Sequence, residues 1–126
     1  MKSYHLFFIL LLVSACSSTK RAEKEFGENL FQHWAHAHEE DQSEYRAFRP
    51  ADYDLPPSRG REGFKIQQNG SFLHYPIGAA DAPKEVSATW KLSGKSTLVV
   101  TPSSPGAPPF ELHILQVEKE LLKIGK

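Results

Sequence analysis

Three histidines, His33, His36 and His38, stand close together, and Glu39, Glu40 and Asp41 follow them. On an extended strand alternate residues share a face, so His36 and His38 would point the same way. Such a pair can seat a zinc ion once a third ligand joins it, and His74 or His113 is available. The same histidines also read as solvated or hydrogen-bonded groups on a sheet edge. A second cluster is basic: Arg46, Arg49, Arg59, Arg61 and Lys65, interleaved with Asp52, Asp54 and Glu62. Arginines in that density can grip a ligand's phosphate or carboxylate through paired N–H groups. They can equally pin a proline-rich loop by bonding carboxylates and carbonyls, with Glu39, Glu40 and Asp41 as available partners. The pinning role is the favoured expectation.

Other chemistry is missing from the sequence. It contains no Gly-x-Ser-x-Gly elbow, phosphate loop or dinucleotide fingerprint. Glu39, Glu40 and Asp41 are adjacent, and neighbouring strand residues face opposite ways, so they make a poor acid–base pair. The expectation is a protein that is not an enzyme and carries no cofactor. With 15 basic and 15 acidic residues the formal charge is zero, so no global field draws nucleic acid. A single cysteine rules out an internal disulfide and a Cys-based zinc site. The balance of 40% hydrophobic and 24% charged residues fits a chain able to bury a core.

The cysteine sits in a telling context. Lys2 precedes an unbroken apolar run from Leu6 to Val13, then come the small residues Ser14 and Ala15, then Cys16. The run is far below the ~20 residues a spanning helix needs, and it fits the apolar region of a secretory signal. The string Leu12-Val13-Ser14-Ala15-Cys16 resembles the lipobox of bacterial lipoproteins. That resemblance implies cleavage after residue 15 and acylation of Cys16 (diacylglycerol on sulfur, a fatty acyl group such as palmitate on the new amino terminus). A membrane surface is then the expected partner, since two or more acyl chains retain a protein stably. Ser17 follows the cysteine, which by the same resemblance implies the periplasmic face of the outer membrane in a Gram-negative cell envelope. Residues 16–29 read as a polar tether, with 17–25 either a flexible spacer or a frayed helical turn. Lys20, Arg21 and Lys24 there can touch anionic head groups weakly, or can simply be solvated.

Residues 30–126 read as the folded domain, and its fold class is mainly β. Phe64 and Ile66 alternate before Gln68-Asn69-Gly70-Ser71, and Phe72 and His74 alternate after it. Asn-Gly between alternating runs is a strong hairpin signal. Ala88, Trp90 and Leu92 alternate next. Ser93-Gly94-Lys95 then turns the chain into the β-branched run Thr97-Leu98-Val99-Val100. The proline-rich stretch from Pro102 to Pro109 cannot lie inside a sheet. Phe110, Leu112 and Ile114 alternate, 117–121 turns, and Leu122 and Ile124 follow. The pattern predicts an antiparallel meander of about six to seven strands curled into a small barrel. Near the start, Phe26, Leu30 and Trp34 are at helical spacing, yet Leu30, Gln32, Trp34, His36 and His38 would share a strand face. A strand over Phe31 to Glu39 is expected. Tyr45 to Arg61, with Pro50, Pro56, Pro57 and Gly60, is expected to be one long ordered loop.

Trp34, Phe64, Phe72 and Trp90 at strand spacing are core candidates, and the same residues would line any cavity the barrel had. Trp34, Glu39-Glu40-Asp41, Tyr45-Arg46, Arg49-Pro50, Tyr53 and above all Pro56-Pro57-Ser58-Arg59-Gly60-Arg61-Glu62-Gly63-Phe64 resemble a family of small proteins described as lipocalin-like. Asn69-Gly70, Phe72, Asp81, Pro83 and Trp90 continue the resemblance. It implies a small antiparallel barrel and no established activity. Two functional expectations stand. One is a lipid-anchored barrel that binds a small or apolar ligand through Trp34, Phe64, Phe72, Trp90, Arg59 and Arg61. The other is an envelope component with a packed core that docks a protein partner.

Overall fold

The computed structural model describes residues 18–58, 60–76 and 85–126. The signal-like segment, Cys16, Arg59, Asp81 and Pro83 lie outside them. Eight strands form a closed barrel: β1 (His33–His36), β2 (Tyr45–Pro50), β3 (Gly63–Ile66), β4 (Ser71–Tyr75), β5 (Val86–Ser93), β6 (Thr97–Pro102), β7 (Phe110–Val117) and β8 (Leu122–Gly125). Around the barrel the order is β1-β2-β8-β7-β6-β5-β4-β3, returning to β1, and every neighbouring pair is antiparallel.

β3 to β8 form the expected meander. The β3–β4 turn closes with Gly70 N–H donating to the Gln67 carbonyl, and Asn69 Oδ1 accepting from Ser71 N–H. Gly70 alone takes the positive φ, at 92°, which only glycine adopts freely. The turn at 94–96 falls where the sequence places it, and the irregular stretch is 103–109, because Pro102, expected outside the sheet, instead ends β6 opposite Ala88.

Two expectations near the start are corrected. The chain is not a strand from Phe31 to Glu39: β1 ends at His36, and His38–Glu40 form a 3₁₀ turn. Nor is 45–61 a single loop, because Tyr45–Pro50 form β2, paired to β1 on one side and β8 on the other. Pro50 is tolerated as the last residue of its strand, where a missing N–H does least harm. Only 51–62 is irregular. It carries the chain from one barrel end to the other across the outside of β1, which lies between β2 and β3.

The tether reading also changes. Residues 18–26 form a helix, α1. Ser18, Ala22 and Phe26 are four apart and share one face. That face is docked on the barrel. Ser18 Oγ accepts from Leu92 N–H at 2.9 Å, Arg21 donates to the Gly94 carbonyl at 2.9 Å, and Ala22 is fully buried. A 3₁₀ turn, Glu28–Leu30, adds buried Leu30 to the same end.

Strand alternation fills the interior. β5 reads out-in throughout, with Ala88, Trp90 and Leu92 inward, and β7 sends Leu112 and Ile114 inward. Trp34, Phe48, Phe72, Leu98, Val100, Leu122 and Ile124 are fully buried, each such side chain stabilising the fold by about 1.5–3 kcal/mol. The two indoles find carbonyls at the end capped by α1: Trp34 Nε1 donates to Leu30 at 3.0 Å and Trp90 Nε1 to Gln67 at 2.8 Å.

Candidate functional site

At the far end, away from α1, the inward-facing positions stop being apolar. His36 continues the inner face of β1 beyond Trp34. Arg46 continues β2 beyond Phe48, Glu62 precedes Phe64 on the approach to β3, and His74 follows Phe72 on β4. Register brings these groups together: His36 sits opposite Phe48, and His74 opposite Phe64. Four ionisable side chains inside an otherwise apolar barrel are the unusual feature of the interior.

The cluster is wired internally. His74 Nε2 lies 3.4 Å from Glu62 Oε1, and Arg46 Nη1 lies 3.9 Å from the same oxygen. The His74 contact, helped by Arg46 and His36, holds the Glu62 carboxyl below the usual carboxylate range despite partial burial. His36 Nε2 donates to Asp41 Oδ2 at 2.9 Å, while Asp41 Oδ1 accepts from Ala47 N–H at 2.8 Å. His36, Arg46, Glu62 and His74 keep 16–32% of their side-chain surface exposed, so water reaches all four.

Beneath them lies an aromatic file. Ring centroids are 4.9 Å apart for Phe48–Phe64, 5.5 Å for Phe64–Phe72 and 6.0 Å for Phe72–Phe110. The polar groups touch it directly. His36 stands 5.0 Å from Phe48, His74 5.8 Å from Phe110, and the Arg46 guanidinium 5.4 Å from the centre of the Phe48 ring. Phe48, Phe64 and Phe72 are themselves buried, so the polar groups sit on a closed aromatic layer.

The residues singled out in the sequence are placed differently. Trp34 and Trp90 are sealed in the core near the capped end. Phe64 and Phe72 belong to the aromatic file. Arg61 lies outside the barrel and binds Glu39 through both terminal nitrogens, with further bonds to the carbonyls of His36 and Pro56. Arg49 forms the matching pair with Glu40, bonds the Glu120 carbonyl and lies 4.8 Å over Tyr53. Both are the pinning contacts expected, to two of the three acids expected; Asp41 serves His36 instead.

The zinc pair is not assembled. His38 leaves the strand face, approaching Ser58 and Glu39, while His36 is engaged by Asp41. Among the described residues no three His, Cys, Asp or Glu side chains are arranged to hold a metal ion.

A shallow outer groove of about 400 Å³ runs beside Tyr53, lined by Gln32, Asp52, Asp54, Lys119 and Glu120. Its polar walls do not suit an apolar ligand. No described helix is long and apolar enough to cross a membrane. Comparison with family models, curated proteins and solved structures finds no match for the chain.

Proposed function

We propose that this chain is a cell-envelope lipoprotein, held to a membrane by acyl chains on Cys16, whose lipocalin-like barrel binds a small amphiphilic ligand at its far end. In a Gram-negative cell the place is the periplasmic face of the outer membrane. The single observation behind the ligand is the cluster of His36, Arg46, Glu62 and His74 on top of the Phe48–Phe64–Phe72–Phe110 file. The signal-like sequence pattern ending in Ala15-Cys16 supports the anchor. No residue is assigned a catalytic role, and no metal or cofactor enters the reading.

The full burial of Trp34, Phe48 and Phe72 favours a second reading, a packed barrel that docks a protein partner and holds no ligand. Native mass spectrometry of the full chain extracted from its cell membranes separates the two. The first reading expects a chain cut before Cys16, with acyl mass on that residue and a retained molecule that an Arg46→Ala, Glu62→Gln variant loses while keeping its circular dichroism. A chain with no retained small molecule sinks the ligand; an unmodified Cys16 sinks the anchor.

A further inference from the structure

We infer that the capped end of the barrel rests on the lipid surface and that the His36–Arg46–Glu62–His74 end points away from it. The inference builds on the anchored reading above and gives it an orientation. A long polar tether would let the barrel tumble. Here the described part of α1 begins at residue 18, two positions after Cys16 in the sequence. Two residue steps reach at most about 7 Å. This part of α1 is itself fixed to the barrel: Ser18 to Leu92, Arg21 to Gly94, Ala22 in the core. The acyl chains therefore enter the bilayer beside the β5–β6 turn.

The far end lies a strand length beyond, roughly 15–20 Å for a tilted strand the size of β6. Charge does not set this orientation. Exposed Lys20, Arg21, Lys24, Lys95 and Lys119 at this end are matched by exposed Glu23, Glu25, Glu28, Glu118 and Glu120, so the short leash and the docked helix suffice without anionic lipid.

Cys16 is the sole cysteine, and acylation consumes its thiol, so an added cysteine is a unique labelling site. The full acylated chain is reconstituted in phosphatidylethanolamine–phosphatidylglycerol vesicles, some lipids carrying a spin label on the head group. A fluorophore is placed at Lys95→Cys in the β5–β6 turn or at Ser104→Cys in the β6–β7 loop. The expected result is quenching several-fold stronger at 95 than at 104, with the difference abolished by a flexible Gly-Ser insert after Ser17. Equal quenching, stronger quenching at 104, or a difference that survives the insert overturns the orientation. Flotation of the full chain with the vesicles is measured in parallel. If the Cys16→Ala chain floats equally well, the anchored reading fails and takes the orientation with it. If flotation depends on Cys16 and quenching is equal, the orientation alone fails.

Discussion

Arg61 does more than neutralise Glu39. Its guanidinium ties the 3₁₀ turn, the end of β1 and the irregular stretch at Pro56 into one unit, and its side chain is only 13% exposed. Replacing it with alanine should lower the stability of the fold, because the part-buried His36 carbonyl, the Pro56 carbonyl and the Glu39 carboxylate lose a shared donor. Thermal denaturation with retained far-UV dichroism would show it; an unchanged midpoint would mean the loop is held elsewhere. The same pair sets a pH dependence. Arg61 holds the Glu39 carboxyl down at about 2, against an ordinary value of 4.5. A depressed carboxylate contributes stability that is present above its unfolded value and lost as pH falls toward the folded one. Stability should therefore decline as pH drops from about 5 toward 2, and Glu39→Gln should flatten that decline in urea titrations. Glu62 is shifted in the same direction and adds to the trend. The acid–arginine pairing was readable in kind, since Glu39 and Glu40 are part of an acidic run shortly before an arginine-rich stretch, although Asp52, Asp54 and Glu62 offered themselves too. The His36–Arg46–Glu62–His74 cluster was not. Its members are spread along the chain and meet only because β1, β2, β3 and β4 become neighbours when the barrel closes.

Among the elements, β1 and β3 come unusually close. A Cβ built on Gly63 would stand 2.6 Å from the Trp34 carbonyl oxygen, a backbone atom with little freedom to retreat. Gly63→Ala should cost about 1–3 kcal/mol through overpacking. Urea unfolding measures it; a midpoint equal to the parent's would mean the β1–β3 seam is looser than described. The meander from β3 to β8 was legible because alternation there is regular and its breaks are Asn69-Gly70, Ser93-Gly94 and a run of prolines. β2 was hidden by Pro50, Pro56 and Pro57, which made the whole of 45–61 look irregular although Phe48 and Pro50 face inward at strand spacing. α1 was hidden for a different reason. Its apolar face consists of little more than Ala22 and Phe26, so mixed charges dominate the segment and mimic a solvated spacer.

For the molecule as a whole, α1 is the part most easily separated. Ala22→Arg places a charged side chain where none fits, and burying an unpaired charge is prohibitive. The helix should therefore undock while the barrel stays closed. Hydrogen exchange checks this: amides of 19–26 and of Leu92, whose N–H is held by Ser18 Oγ, should lose protection while those of β6 and β7 keep it. Loss of protection throughout would instead make α1 part of the cooperative fold. The closed ring has one further consequence, for the order of events during synthesis. Tyr45 pairs with Gly125 and Phe48 with Leu122. A strand laid down early thus waits for β8, made about seventy residues later, to cover its other edge. β8 acts as the clasp of a bracelet: a chain that lacked it would present two raw strand edges, β2 and β7, to any neighbour ready to pair with them.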